Sequence, residues 1–522
     1  MDTAEREGGD ITAAHMINQN VEPSLIKQYI EAVTVFVTGA TGYLGKLLVE
    51  KLLRSCPGIR KIYVLIRDKP NQPCEERFKA FFESALFDRL KRENVQALQK
   101  VSMIQGDCMM SGLGLNSVDL QILLRDVNCV FHCASTMKFN EKLSTAALTN
   151  VGGTKEFVKL AQKMYNLRSF VYVSTAFLIC PNNKIQEVFY EPTMTVDDLL
   201  TIVGTLKEDV LDTMTPILLG EWPNTYTFTK AVAEEVIRSE GEDLPIAIVR
   251  PSMVIGTVKE PVAGWVQNFN GVSGVIVGVS LGYIRTLQCK PNNFVDMVPA
   301  DYVVNCMIAA AWDIAMRKGS NLNNEIPLDN IRDIPIYNCV STPDMPIRWS
   351  SCINLALHHF VTTPLTRQAW HVIFIPRSST FAYMCLHYLL HLTPAVLADF
   401  FCYCTGRNCR ILKKYAKIEK FLNGLRYFTT QEWYFKNNNL QQLWEKMNSE
   451  DKRFFEFSMK TLDWDFYFHT YVRGLRVYLL RDSLETIHAA RIRCQRLRML
   501  NHCTLIAIGL VLLFSLYLKW FW

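Results

Sequence analysis

Charge of either sign is scarce in this 522-residue sequence. Lysine and arginine number 56 against 50 aspartates and glutamates, a net charge of +6, too mild to point to nucleic acid. Only 20% of residues are charged while 49% are hydrophobic, which excludes global disorder and permits a large core. Residues 1–30 are polar and hold no basic stretch leading into an apolar run, so no secretory signal is expected there. The bulk of the chain is then expected in the cytosol, with its sixteen cysteines reduced. Cys402, Cys404 and Cys409, near His387 and His391, match no common zinc spacing. They are expected to be buried cysteines of an apolar helix, and no metal is assigned.

What is present begins with a strand, a glycine turn and a helix. Val35-Phe36-Val37 is β-prone and enters Thr38-Gly39-Ala40-Thr41-Gly42-Tyr43-Leu44-Gly45, after which residues 46–53 continue as a helix with an apolar face. Gly39 permits the tight turn, Gly42 lets the backbone approach a pyrophosphate, and Gly45 lets helix and strand pack closely. The helix N-terminus then offers free N–H groups to phosphates. The second strand, Ile62–Ile66, ends in Arg67 and not in an acid. An acid there would hold the ribose 2′-hydroxyl of NAD, whereas a guanidinium suits the 2′-phosphate of NADP. Strands are expected at Val101–Gln105, Asn128–Phe131, Ser169–Val173, Ile246–Val249 and Ile336–Val340, with helices over 75–95 and 150–165. Asp107 closes the third strand, where an acid accepts from an adenine amino group or caps the turn. The alternation implies an α/β, doubly wound Rossmann-type parallel sheet.

Thr175 lies just past the fifth strand, where ligands bind in open α/β sheets. After an insertion, Pro181 to Pro223, comes Tyr226-Thr227-Phe228-Thr229-Lys230. Residues four apart share a helix face, so the Lys230 ammonium is expected to favour the phenolate of Tyr226 and lower its pKa. Arg250-Pro251-Ser252 follows the sixth strand. Gly264-Trp265 and Gly271–Gly278 are expected to form a loop over a pocket, and a helix is expected at Val298–Trp312. Beyond residue 350 strands are expected to stop and helices to take over. Phe381–Leu392, bounded by Pro376 and Pro394, is too short to span a bilayer and reads as a buried helix or one lying in a membrane interface. Residues 504–518 are almost wholly apolar and extend to Trp522. About 19 residues reach ~28 Å, close to a bilayer core. Arg491, Arg493, Arg496 and Arg498 lie just upstream, on the side expected to stay cytoplasmic.

Glycine turn, hydroxyl and Tyr-x-x-x-Lys, in this order and spacing, resemble the extended short-chain dehydrogenase/reductase superfamily. The closer resemblance is to its alcohol-forming fatty acyl-CoA reductases. It is carried by Thr38–Gly45, Tyr63–Arg67, Val173–Phe177, Tyr226–Lys230, Val249–Ser252, Gly264-Trp265, Asp296–Asp301 and Tyr478-Leu479-Leu480, over roughly residues 30–485. Two departures stand out: relatives in the superfamily usually place serine where Thr175 stands, and Lys69-Pro70-Asn71 lacks a glycine the family usually carries. The resemblance implies NADPH as cofactor and a long-chain fatty acyl-CoA as substrate, reduced to the alcohol through an aldehyde. It implies Thr175, Tyr226 and Lys230 as catalytic, and Thr38, Gly39, Thr41, Gly42, Tyr43, Leu44, Gly45, Arg67, Asp107, Tyr226, Lys230, Pro251 and Ser252 as cofactor-binding. The expected layout is a flexible arm over 1–30, a reductase domain over 31–350, a mainly helical acyl-binding domain over 351–490 and a single-pass anchor over 503–522. Membrane lipid is an expected partner and nucleic acid is not; a homo-oligomer stays open. The endoplasmic reticulum is the favoured membrane and the peroxisome the other, though no peroxisomal tripeptide ends the chain. A membrane-bound sterol-type dehydrogenase and a catalytically silent NADPH-binding scaffold are the alternative readings.

Overall fold

The apolar runs read from the sequence pair into one seven-stranded parallel sheet. The computed structural model describes residues 22–321, 333–407 and 410–521. Its sheet contains β1 (Thr34–Thr38), β2 (Lys61–Ile66), β3 (Val101–Gln105), β4 (Cys129–His132), β5 (Ser169–Val173), β6 (Ile246–Pro251) and β7 (Ile336–Cys339). Their order is β7-β6-β5-β4-β1-β2-β3, and every neighbouring pair is parallel. β1, β5 and β6 are buried along their whole length, which is why they read as unbroken apolar runs. The strand order reverses between β1 and β4, where Thr38 pairs with His132. A crevice therefore opens beyond the carboxyl ends of these two strands.

Helices α1 (Leu25–Ile30), α2 (Tyr43–Ser55), α3 (Gly153–Ala161), α4 (Thr225–Glu240), α5 (Gly271–Ser280) and α6 (Ala300–Asn321) accompany the sheet. Apolar clusters lie on both of its faces, so the fold is doubly wound as expected. The chain then becomes mainly helical. It includes α7, continuous over Thr380–Cys404, α8 (Ile411–Thr430) and α9 (Ile487–Phe521). The stretch Leu484–Trp520 is 37 residues long with a mean hydropathy of 2.0 at its most apolar, long and apolar enough to cross a membrane.

The structure departs from the sequence reading in several places. The expected flexible arm ends in a docked helix, although residues 1–21 lie outside the described residues. Ser24 caps α1 by accepting from Lys27 N, and Ile26 and Ile30 are fully buried. The buried Asp451 accepts from Ser24 Oγ at 2.5 Å and from Ile26 N at 3.1 Å. Asp451→Ala removes the one carboxylate oxygen that accepts both bonds and leaves two buried donors unpaired, so it is expected to cost about 3 kcal/mol. A denaturant titration of the full chain reads this, and an unchanged midpoint would mean that α1 docks through its apolar face alone.

The helix expected over 75–95 breaks into Cys74–Phe81 and Asp88–Asn94, because Ser84 caps a short turn between them. Gly271–Gly278 is not a loop but lies in α5. A Cβ at Gly274 would meet Phe269 O at 2.1 Å and one at Gly278 would meet Ile284 Cδ1 at 2.4 Å, so glycine here serves close packing. Strands do not stop at 350. Ile375–Arg377 pairs with Thr286–Gln288, and Tyr434–Phe435 with Lys184–Ile185, two small two-stranded sheets apart from the main one that tie residues beyond 350 to earlier segments. Pro394 does not end its helix. The preceding turn, Tyr388–Leu392, is a wide π turn, and Pro394 falls in the first turn of the next α segment, where its missing N–H is tolerated.

Of the cysteines expected to be buried and reduced in this stretch, Cys404 departs in its exposure and Cys402 in its bonding. Cys404 is exposed, Cys402 is disulfide-bonded, and Cys409 lies outside the described residues. The reason is that α7 turns much of its apolar surface outward. Trp522 of the expected anchor also lies outside the described residues.

Candidate active site

The crevice at the strand reversal deepens into a cavity of about 430 Å³. Gly39, Thr41, Gly42, Tyr43, Leu44 and Gly45 line one end, Arg67 and Asp107 stand beside them, and Thr175, Tyr226, Lys230, Pro251 and Ser252 line the rest. The structure therefore brings together every expected site residue except Thr38. That side chain is fully buried beneath the turn. Its hydroxyl bonds His132 Nδ1 at 2.7 Å and accepts from Ala134 N at 3.2 Å.

The glycine turn is shaped by what a side chain would strike. Gly39 has φ +68°, and a Cβ there would lie 2.7 Å from Ala134 N and from the Cys133 carbonyl. A Cβ on Gly45 would lie 2.4 Å from Gly39 O. Gly42 is the N-cap of α2 and supplies no capping side chain, so the first-turn N–H groups face the cavity unclaimed. Farther in, Ser174 Oγ and Ser252 Oγ are buried without a hydrogen-bond partner. A phosphate cradle and orphaned hydroxyls at opposite ends of one cavity fit a dinucleotide.

At the turn end three cations gather. Arg67, Lys69 and Arg77 all line the cavity. Arg77 donates to Thr41 Oγ1 at 3.0 Å and to the Arg67 carbonyl. Asp107 Oδ2 sits 3.4 Å from Arg67 Nη1, and its Oδ1 accepts from Met109 N at 3.1 Å. One oxygen thus caps the turn and the other faces the guanidinium. Sequence reasoning missed Arg77, because nothing local distinguishes it from the other charges on its helix.

At the other end, Asn224 caps α4 by accepting from Thr227 N at 2.9 Å, which fixes Tyr226 in the first helical turn. The Thr175 hydroxyl lines the cavity beside the Tyr226 phenol. Burial pushes the Tyr226 phenol up to about 12, and the neighbouring Thr175 hydroxyl offsets only part of that rise. The expected lowering by Lys230 is not what the structure shows. Lys230 Nζ instead donates to Val173 O at 2.8 Å and to Tyr172 Oη at 3.2 Å, and burial lowers its pKa to about 8. Tyr226 is thus a protonated phenol at neutral pH, able to donate.

The surroundings hold this geometry. Asn150 accepts from Thr136 N and from Ser135 Oγ, both at 3.0 Å, and donates to Thr229 Oγ1 at 2.9 Å, between Tyr226 and Lys230 on α4. Burial depresses His132 to about 3, so this ring is a neutral strut under the turn. Glu234 of α4 holds the fully buried Arg250 through two contacts of 2.9 and 2.5 Å. Arg250 also donates to the Gln186 and Val188 carbonyls, tying the 181–223 insertion to the sheet. The helical region reaches the site directly. Phe139 stacks on Tyr226 at 6.3 Å and on Phe428 at 5.2 Å, and Phe177 packs edge-on against Phe428 and Trp433. These aromatic neighbours were also missed, being up to 289 residues apart (139 to 428).

Comparison with known proteins follows the same outline. A family model described as male sterility protein matches residues 37–307, and a second of the same description matches 390–482. The chain is 36% identical over 502 residues to the fatty acyl-CoA reductase wat of Drosophila melanogaster, covering 96% of this chain and 95% of the relative. It is 37% identical over 480 residues to fatty acyl-CoA reductase 1 of Rattus norvegicus, covering 91% and 90%. Among solved structures, the reductase domain of a nonribosomal peptide synthetase from Mycobacterium tuberculosis superposes with a TM-score of 0.55 at 18% identity, covering 90% of this chain and 96% of that one. That likeness shows the fold.

Proposed function

The chain belongs to the fatty acyl-CoA reductase family, and from that premise we propose that it reduces a long-chain or very-long-chain fatty acyl-CoA to the primary alcohol with NADPH. The observation that carries the reading is the single cavity joining a phosphate cradle to Thr175, Tyr226 and Lys230. The nicotinamide, when bound, supplies hydride to the carbonyl at each of two reductions. Everything else falls to the chain. Thr175 and Tyr226 donate hydrogen bonds to the carbonyl oxygen as negative charge develops on it. In the first reduction the CoA thiolate leaves and an aldehyde remains. In the second Tyr226 gives its proton to the alkoxide, a role that the raised phenol pKa suits. Lys230, cationic below pH 8, supports that proton transfer and binds the nicotinamide ribose. Gly39, Gly42 and Gly45 admit the pyrophosphate, and Arg67 with Arg77 holds the 2′-phosphate. Pro251 and the unpartnered Ser252 hydroxyl complete the nicotinamide end.

In this proposal residues 31–350 form the reductase domain, residues 351–490 receive the acyl chain, and residues 503–522 anchor the protein with its catalytic part in the cytosol. The endoplasmic reticulum is the favoured membrane. The test is turnover of detergent-solubilised protein on a panel of saturated acyl-CoAs, following released CoA and NADPH oxidation together. Neither CoA release nor NADPH oxidation on any chain length, with NADPH still bound, would overturn the reading.

A pH dependence follows from Lys230. Its charged form is lost as pH rises through about 8, so kcat/KM for aldehyde reduction is expected to fall above that pH. In Lys230→Arg the cation does not titrate, and the limb near pH 8 is expected to vanish even though the plateau is lower. An unchanged limb in that variant would assign it to another group.

A further inference from the structure

Helix α7 is polarised the wrong way round for water. Its buried face carries Tyr383, His387, His391 and Ala395, four residues apart, with His391 fully buried. Its outer face carries Phe381, Leu389, Leu397, Phe400 and Tyr403, from 62% to 82% exposed. The imidazoles are inside and the large apolar groups outside. The helix holds no lysine or arginine, and its one acid, Asp399, is engaged by the backbone N–H groups of Ile411 and Leu412. The next helix, α8, presents Lys413, Lys414, Lys417 and Lys420 to solvent. An apolar ridge beside a row of exposed cations complements a bilayer bearing anionic headgroups.

The position of the ridge favours the same occupant. Arg285 donates to the Leu390 carbonyl at 2.9 Å, its backbone N–H bonds His391 Nε2 at 2.8 Å, and its guanidinium lies over Trp370. Trp370 in turn donates to Asn501 Oδ1 at 3.1 Å, at the point where the apolar part of α9 leaves the body. One arginine therefore ties the middle of α7 to the root of the long apolar helix. At 25 residues α7 is long and apolar enough to cross a membrane, but its inner face is packed on the protein, which favours a helix lying along the interface. Near the same pole, α5 runs from the cavity wall at Gly271 and Val272 to a turn at Gly282 that packs on the Trp370 backbone.

We propose that α7 lies in the plane of the membrane interface, its ridge embedded among acyl chains and its α8 lysines on anionic headgroups. It is a second contact besides α9, and it sets the orientation of the cavity to the bilayer. It shares with the anchor reading only the bilayer and does not depend on the reductase chemistry.

The experiment uses the full chain in phosphatidylcholine vesicles, with or without phosphatidylserine, and a single NBD-labelled cysteine at Leu397→Cys or Phe400→Cys. Exposed Cys385, Cys404 and Cys503 are serine in this background. Labels at Leu512→Cys and Val118→Cys report the anchor and the aqueous surface. At 397 and 400 the expected result is blue-shifted emission, loss of iodide quenching, and quenching by lipids brominated near the headgroup more than by those brominated near the chain end. Replacing Lys413, Lys414, Lys417 and Lys420 by glutamine should abolish the difference between anionic and neutral vesicles. Iodide quenching at 397 and 400 as at 118 would overturn the proposal while leaving the anchor to be judged at 512. Deep-bromine quenching equal to that at 512 would overturn it in favour of a spanning helix. Protection from iodide without bromine quenching would overturn it in favour of a protein partner.

Discussion

Tyr226→Phe is expected to lower kcat/KM about 10³-fold for acyl-CoA and for aldehyde alike, because both reductions need a donor at the carbonyl oxygen. The change deletes one oxygen and keeps the ring, so the stacking on Phe139 is retained. The hydroxyl beside the phenol is that of Thr175, which accepts from Phe177 N at 3.2 Å and stays in place. NADPH affinity is therefore expected to change less than about threefold, a fraction of a kcal/mol. Stopped-flow fluorescence of bound NADPH and steady-state kinetics separate the two effects. A loss confined to the aldehyde step would mean that Thr175 alone supports the thioester step. A comparable loss of cofactor affinity would mean that Tyr226 positions the nicotinamide instead of donating a proton.

The second large effect concerns cofactor choice. Arg67→Ala combined with Arg77→Ala is expected to weaken NADPH binding about 10²-fold, since two charge-assisted contacts together contribute about 3 kcal/mol. NADH, lacking the 2′-phosphate, should lose far less. Arg67 is half exposed and already pairs with Asp107 at 3.4 Å, so its single variant should have the smaller effect. Arg77 also holds Thr41, which is why the NADH control matters. An equal loss for both cofactors would show that Arg77 shapes the turn and does not read the phosphate. Isothermal titration with the two cofactors decides between these outcomes.

These two predictions also mark how far the sequence could be read. Val101–Gln105 and Ser169–Val173 were legible to the residue: the second is buried along its length and reads as an apolar run, while the first, an edge strand with only Val101 and Ile104 buried, is marked by the Gly106-Asp107 turn that closes it. Tyr226 and Lys230 were legible because helix periodicity places residues four apart on one face. The electrostatics between them were not. Spacing indicates adjacency, but burial, which raises the phenol and lowers the ammonium, depends on the whole fold. Arg77 and Phe428 were illegible for a related reason, since each acquires meaning only from residues far away in the chain. Gly271–Gly278 and Pro394 misled through local propensity. Close packing around Gly274 and the π turn ahead of Pro394 override it.

The central claim is that one cavity carries out both reductions. The most direct test is a reaction with NADPH deuterated on the transferred position and a saturated long-chain acyl-CoA, analysed by mass spectrometry of the lipid product. The account predicts a primary alcohol carrying two deuterons on C1, with two NADPH oxidised for each CoA released. An aldehyde carrying one deuteron, at one NADPH per CoA, would contradict it and leave the protein an aldehyde-forming reductase.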